Sequence, residues 1–249
     1  MSAASRPSGK ILFSNSPALV YVNEYGERDA SIKPDTARVL ERSGASWSDH
    51  AGGSPRASFE KFQDWAEKEG LVLDKEAFRA WIKSREVADG GEHTVFWDKK
   101  SHRAVKLTHP DVTGEGVVGH PKNIRDYLTN LYLHNLEFGS DIRLEGVVDL
   151  GDAPFMQVVI SQPWIKGGRP ATLAEKKQYF ANHGFGYDPK DEIFVRTVSG
   201  ETLRVGDHDG DNVMARDTAR GVEVMPIDTQ LLPSAGYLQR AIEDGAARW

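Results

Sequence analysis

Apolar and polar positions alternate over His93-Thr94-Val95-Phe96-Trp97-Asp98 and again over Arg103-Ala104-Val105-Lys106-Leu107-Thr108, with a polar turn, Lys99-Lys100-Ser101-His102, between them. That period of two predicts a β-hairpin. Upstream the period lengthens. Phe59, Phe62, Trp65 and Ala66 fall at i, i+3, i+6 and i+7 behind Ser58, a possible cap, and the run ends at Gly70, which predicts an amphipathic helix. A second helix is expected from about residue 74 to about 85, with Phe78, Trp81 and Ile82 on its apolar side. These aromatics read as core. Residues 123–138 form a third helical pattern with Ile124, Leu128, Leu131 and Phe138 on one stripe and the polar His134 and Asn135 within or beside it. Two strands follow, at 142–148 and 155–161, joined by a Gly-Asp turn. They lead into Gln162-Pro163-Trp164-Ile165-Lys166-Gly167-Gly168, which has the look of a hinge, since proline cannot continue a ladder and the glycines free the chain. A short helix over 172–182 and a hairpin of 192–198 with 201–205 across Ser199-Gly200 complete the pattern up to Gly206.

Composition adjusts this picture in a few places. The chain has 249 residues and is 39% apolar, long enough for a full globular core. Residues 1–55 are expected to be an extension with short strands at 10–14 and 19–22 and a Gly/Ser/Pro-rich linker from 43 to 55. Residues 56–86 are then a helical pair packed on the main domain, 87–249. No apolar run approaches the roughly 20 residues of a spanning helix, and the N-terminus lacks a signal-peptide core, so no membrane partner is expected and a cytoplasmic setting is the default. The absence of cysteine excludes disulfides and thiolate metal sites. A net charge of −6 argues against a general nucleic-acid surface, and no nucleic-acid partner is expected.

Candidate chemistry centres on Gly206-Asp207-His208-Asp209-Gly210-Asp211-Asn212 and, beyond a hairpin-like segment, Met225-Pro226-Ile227-Asp228. Phosphoryl transfer needs a carboxylate near the attacking hydroxyl and oxygen ligands for Mg²⁺. Asp207 suits the first role, and Asn212 with Asp228 the second. An acidic turn between strands is the plain alternative, because Asp, Asn and Gly tolerate turn geometry. An EF-hand-type calcium loop fits poorly: counted from Asp207, the positions that should hold Gly and Glu hold Asn212 and Thr218. A phosphohydrolase built on His208-Asp209 lacks outlying His and Asp partners. Upstream, Lys106 between Val105 and Leu107 suits a strand lysine that reaches nucleotide phosphates, and Gly90-Gly91 suits a turn that covers them.

The ordered series Gly90-Gly91-Glu92-His93-Thr94-Val95, Val105-Lys106-Leu107-Thr108, Tyr127-Leu128, Leu133-His134-Asn135, Phe138-Gly139, Asn182-His183-Gly184-Phe185, Asp207 with Asn212-Val213, and Pro226-Ile227-Asp228 resembles the serine/threonine/tyrosine kinase domain of polyvalent proteins from phages and other bacterial mobile elements. The resemblance implies an α+β, bilobal protein-kinase-like fold with an antiparallel N-lobe sheet over 87–161, one main helix, a hinge at 162–168 and a minimal C-lobe over 169–249. It implies ATP and Mg²⁺ as cofactors and an acceptor that is a protein or a small molecule. Lys106 then binds ATP phosphates, Asp207 orients or deprotonates the acceptor hydroxyl, and Asn212 and Asp228 hold Mg²⁺. Gly90 and Gly91, Gln162 and Trp164 of the hinge, and Asn135 line the nucleotide.

Some positions depart from the kinase pattern. Val205-Gly206 stands before Asp207 where a His-Arg pair is usual, and Thr229-Gln230 follows Asp228 in place of Phe-Gly. Twenty-one residues follow Asp228, hence the expectation of a minimal C-lobe. The main helix carries no Glu on its stripe, so the partner of Lys106 is left between His134, Asn135 and Glu137. These departures motivate a second expectation, a pseudokinase-like nucleotide- or partner-binding module without turnover. A metal-binding turn built on Asp207, Asp209 and Asp211 is a third.

Overall fold

The structure, a computed structural model, describes residues 54–85, 87–110 and 123–247. The strands expected at 10–14 and 19–22, and nearly all of the expected linker, lie outside the described residues. The described chain divides into two compact units, one holding 54–127 and 142–164, the other 128–141 and 165–247.

The first unit begins with helix α1, Pro55–Lys68. Its cap is Ser54, whose side chain accepts from the Ala57 amide at 3.2 Å, so the helix starts one turn before the expected Ser58. Pro55 fits this start, because the first helical position has no use for an N–H. Helix α2, Lys75–Lys83, is capped by Asp74 through the Ala77 amide at 2.7 Å. Five strands follow: β1 (Val87–Asp89), β2 (His93–Asp98), β3 (Arg103–Thr108), β4 (Arg143–Val148) and β5 (Gln157–Pro163). They form one antiparallel sheet in the order β1-β2-β3-β5-β4. The β2–β3 hairpin has the boundaries its alternation predicts.

The sheet has two distinct faces. Phe96, Val105, Leu107, Val148 and Val159 pack with Leu73, Phe78 and Trp81 in one buried cluster; each such side chain removed from water contributes roughly 1.5–3 kcal/mol. Because side chains alternate along a strand, Lys106 lies on the other face, between its pairing partners Val95 on β2 and Ile160 on β5. Pro163 still pairs opposite Arg103, so β5 runs two residues, Gln162 and Pro163, into the expected hinge. It can do so because β4 starts opposite Ser161, at Arg143, leaving only one neighbour strand at Pro163.

The segment joining α1 to α2 also pairs with the sheet. The Leu73 amide donates to Val147 and the Val147 amide to Leu71, at 2.8 and 2.9 Å. Gly146 allows this approach: its φ is +150°, and a Cβ there would sit 2.3 Å from the Leu71 carbonyl oxygen.

The second unit holds most of helix α3 (Ile124–Phe138), from Leu128 onward. It continues with β6 (Arg169–Pro170), helix α4 (Leu173–Asn182), β7 (Gly186–Asp188), β8 (Ile193–Val198) and β9 (Glu201–Gly206). A 3₁₀ turn at Gly210–Asn212, β10 (Val213–Thr218), β11 (Gly221–Pro226), β12 (Gln230–Pro233) and helix α5 (Ala235–Ala247) complete it. The strands make two antiparallel sheets, β11-β10-β6 and β12-β9-β8-β7. Leu133, Phe180, Phe194, Leu203, Val205, Val213 and Leu231 share its core, with the Phe180 and Phe194 rings 4.3 Å apart.

Helix α4 opens with a capping box between Thr172 and Glu175. The Arg169 guanidinium grips Glu175 through two bonds of 2.8 and 2.6 Å. That bond first, and the Thr172 amide second, hold the Glu175 carboxyl down at about 2. Helices combined with antiparallel sheets make this an α+β protein, as expected. No helix among the described residues is long and apolar enough to cross a membrane.

Candidate functional site

Strand β9 delivers the chain to Asp207, an exposed residue in the left-handed region at φ +47°. Asp is one of the few L-residues that accept this conformation. The next residue, His208, turns inward. Its Nε2–H donates to the Glu192 carbonyl at 2.7 Å and its ring lies edge-on to Phe194, so His208 fastens the loop to the sheet. Asp209 is exposed, 3.6 Å from the Lys176 ammonium. The 3₁₀ turn then brings Asn212 back toward Asp207.

Asn212 ties three candidate residues together. Its Nδ2 donates to the Asp207 carbonyl at 2.8 Å. Its own carbonyl accepts from the amides of Ile227 and Asp228, at 2.8 and 3.3 Å. Asp207, Asn212 and Asp228 thus sit in one hydrogen-bonded loop pair, with both aspartates exposed.

The residue after Asp228 is held from the other side. Thr229 is buried, and its carbonyl accepts from His134 Nε2 at 2.7 Å and from Asn130 Nδ2 at 3.3 Å. Asn130 Oδ1 accepts from the Leu231 amide at 2.7 Å. His134, a candidate partner for Lys106 in the sequence, therefore spends Nε2 on Thr229. Asn130 was not singled out by sequence. The available signal was its spacing of four from His134, which places two polar residues on one face of an apolar helix.

The other two polar candidates of α3 also have neighbours in the second unit. Glu137, nearly buried, pairs with the Arg196 guanidinium and accepts from Tyr237 Oη at 2.5 Å. Burial first and the Glu137 bond second push Tyr237 up to about 12. Burial works against the Arg196 cation, yet with Glu137 beside it the Arg196 pKa is raised. Asn135 is half-buried, and its carbonyl accepts from the Gly139 amide at 3.0 Å.

In the first unit Lys106 is buried, at 5% exposure. The turn of Gly90 and Gly91 links β1 to β2, and the Gly90 amide donates to His93 at 2.9 Å. Both glycines are exposed, and a Cβ on Gly91 would meet nothing within 4 Å. His109, just past β3, pins this turn: Nδ1 lies 3.1 Å from the Gly91 carbonyl and Nε2 3.1 Å from the Asp89 carboxylate. The His109 bond first, and the Thr94 hydroxyl second, lower the Asp89 pKa. Gln162 is buried opposite Ala104. Trp164 stacks on Trp97, ring centroids 5.6 Å apart, and its amide donates to the His102 carbonyl at 3.0 Å.

The side chains expected to hold the metal, Asn212 and Asp228, would offer oxygen ligands only, which suits a hard cation such as Mg²⁺. Among the described residues no group of three or more His, Asp or Glu could hold a metal ion. A dedicated metal cage built on Asp207, Asp209 and Asp211 therefore finds no geometric support there.

The family model described as Serine/Threonine/Tyrosine Kinase found in polyvalent proteins matches residues 56–231, well over half of the chain. No curated protein and no solved structure matches it.

Proposed function

The chain belongs to the family of serine/threonine/tyrosine kinases found in polyvalent proteins, and we propose that it is an ATP- and Mg²⁺-dependent phosphotransferase acting on a hydroxyl acceptor. The observation that carries this reading is the Asn212 link, which joins Asp207 to Asp228 within one hydrogen-bonded loop pair. In this assignment the Asp207 carboxylate orients the acceptor hydroxyl and takes its proton as the γ-phosphoryl group moves to the hydroxyl oxygen and ADP leaves. Asn212 and Asp228 present oxygens to Mg²⁺, which neutralises charge on the phosphates when bound. Lys106 binds the α and β phosphates. Gly90 and Gly91 cover them, while Gln162, Trp164 and Asn135 line the nucleotide.

The remaining parts of the reading are a bilobal arrangement of residues 87–249, with lobes at 87–161 and 169–249 and a hinge at 162–168, behind an extension at 1–55 and a helical pair at 56–86. A phage or other mobile-element origin and a cytoplasmic setting complete it. The acceptor is a protein or a small molecule. The second reading, a nucleotide- or partner-binding module without turnover, is favoured by one observation: Glu137, the only Glu of α3, is engaged by Arg196 and Tyr237.

Calorimetric titration of ATP with Mg²⁺ into the parent and into Lys106→Ala tests the nucleotide site. Saturable binding, weakened by the substitution, is expected; no binding by the parent overturns the reading. Phosphate transfer then separates the two readings, since a catalyst loses Mg²⁺-dependent transfer in Asp228→Ala while a binding module shows none in the parent.

A further inference from the structure

Asp228 is flanked by two separate sets of hydrogen bonds. On one flank its own amide and that of Ile227 donate to the Asn212 carbonyl. On the other, Thr229 and Leu231 are gripped by two side chains of α3, one turn apart. His134 Nε2 and Asn130 Nδ2 both donate to the Thr229 carbonyl, and Asn130 Oδ1 accepts from the Leu231 amide. The Thr229 hydroxyl lies 3.1 Å from His134 Nε2 as well. His134 and Thr229 are 2% and 1% exposed, and Asp228 between the two grips is exposed. A ligand carboxylate at a chain bend keeps its aim only if the backbone on either side cannot rotate. Fixing that backbone is what this pair of anchors does.

We infer that Asn130 and His134 are positioning residues for Asp228, acting from α3 through the Thr229 carbonyl and the Leu231 amide to set the direction in which the metal-ligating carboxylate points. This rests on the assignment of Asp228 to Mg²⁺ made above. Neither residue touches the metal. Partners behind a ligand typically change metal affinity by about 10–100-fold, and a carbonyl can only accept, so His134 Nε2 carries the donated hydrogen.

The test uses the full chain. ATP binding is measured by calorimetry at a series of Mg²⁺ concentrations for the parent, Asp228→Ala, His134→Ala, His134→Gln and Asn130→Ser, alongside binding of ATP in EDTA. The Mg²⁺ concentration for half-maximal enhancement of ATP binding should rise about tenfold in His134→Ala and in Asn130→Ser, while metal-free binding stays unchanged. His134→Gln, which retains a donor of similar reach, should return to within about threefold of the parent. A change in general packing would weaken metal-free and Mg²⁺-supported binding together. Because His134 is buried and its truncation can unfold the protein, Asn130→Ser decides alone if His134→Ala does not fold. An unchanged Mg²⁺ midpoint in folded Asn130→Ser overturns the inference while leaving the kinase reading intact. An unchanged midpoint in Asp228→Ala overturns the metal assignment itself, and the inference with it.

Discussion

Asn212 reaches back five residues to donate through Nδ2 to the carbonyl of Asp207 at 2.8 Å. A residue assigned to the metal is thereby also the clip that shapes the loop of the residue assigned to the acceptor. Phosphoryl transfer depends chiefly on positioning and charge neutralisation, so both functions assigned to Asn212 would bear on rate.

Asn212→Asp separates them. The carboxylate keeps an oxygen for Mg²⁺ but has no donor for the Asp207 carbonyl. Transfer should fall about 10–100-fold with the Mg²⁺ midpoint little changed, whereas Asn212→Ala should raise the midpoint as well. Initial rates of ATP turnover across a Mg²⁺ series give both quantities, and equal rates in parent and Asn212→Asp would remove the clip from the mechanism.

Asp207→Asn should lower transfer by about 10²–10⁴-fold, the span associated with losing a positioned base. Asn tolerates a φ of +47° as well as Asp does, so stability should stay within about 0.5 kcal/mol of the parent. Asp207→Val, β-branched and unsuited to that conformation, should lose activity and also about 1–2 kcal/mol of stability. Urea unfolding of both variants distinguishes chemistry from backbone strain.

Gly146→Ala should destabilise the protein by about 3 kcal/mol or more. The new methyl meets the Leu71 carbonyl oxygen at 2.3 Å and the Leu73 side chain at 3.0 Å, at a φ of +150°, which combines overpacking with backbone strain. Urea unfolding checks this. A shift below about 1 kcal/mol would mean that the 71–73 segment gives way at little cost.

Glu175 gives stability a pH dependence of known sign. Its carboxyl is lowered from 4.5 to about 2, first by the Arg169 bond. A depressed acid stabilises the fold above its unfolded pKa, and this contribution is lost as pH falls through the folded value. Glu175→Gln should therefore melt below the parent at about pH 6–7, and the gap should close between about pH 4.5 and pH 2. A gap independent of pH would assign the helix start to the capping-box hydrogen bonds rather than to the charge.

Much of this architecture is legible in the sequence wherever one periodicity dominates. The β2–β3 hairpin has its expected boundaries because alternation runs unbroken on both sides of a polar turn, and α4 is announced by Thr172 and Glu175. Reading stops short where local signals compete. Pro55 and Ser54 close a stretch rich in Gly, Ser and Pro, so the true start of α1 reads as the end of a linker, although Pro is favoured at a first helical position. Pro163 reads as a strand breaker, and only the pairing shows that β4 does not reach it. Asp207, Asn212 and Asp228 are visible as residue types at suggestive spacings. The bond from Asn212 to the 227–228 amides is not, because backbone contacts across a hairpin carry no side-chain signature. The anchoring roles of His134 and Asn130 stay hidden for the same reason, since their partners are main-chain groups 95 to 101 residues away.

Those long separations also bear on the order in which the protein can be made. Leu128 to Asp141 belongs to the second unit but precedes strands β4 and β5 of the first. On a ribosome the five-stranded sheet has all its strands by Trp164, while Leu133 still waits for Leu231, Asn130 for the Leu231 amide, and Tyr132 for the Ala241 carbonyl 109 residues downstream. Contacts of such separation form late and slowly, so part of the apolar side of α3 stays uncovered in a nascent chain until β12 and α5 emerge, the kind of surface on which chaperones act. A chain cut short before β12 would retain the Lys106 hairpin and yet leave Asn130 and Tyr132 without their partners at Leu231 and Ala241.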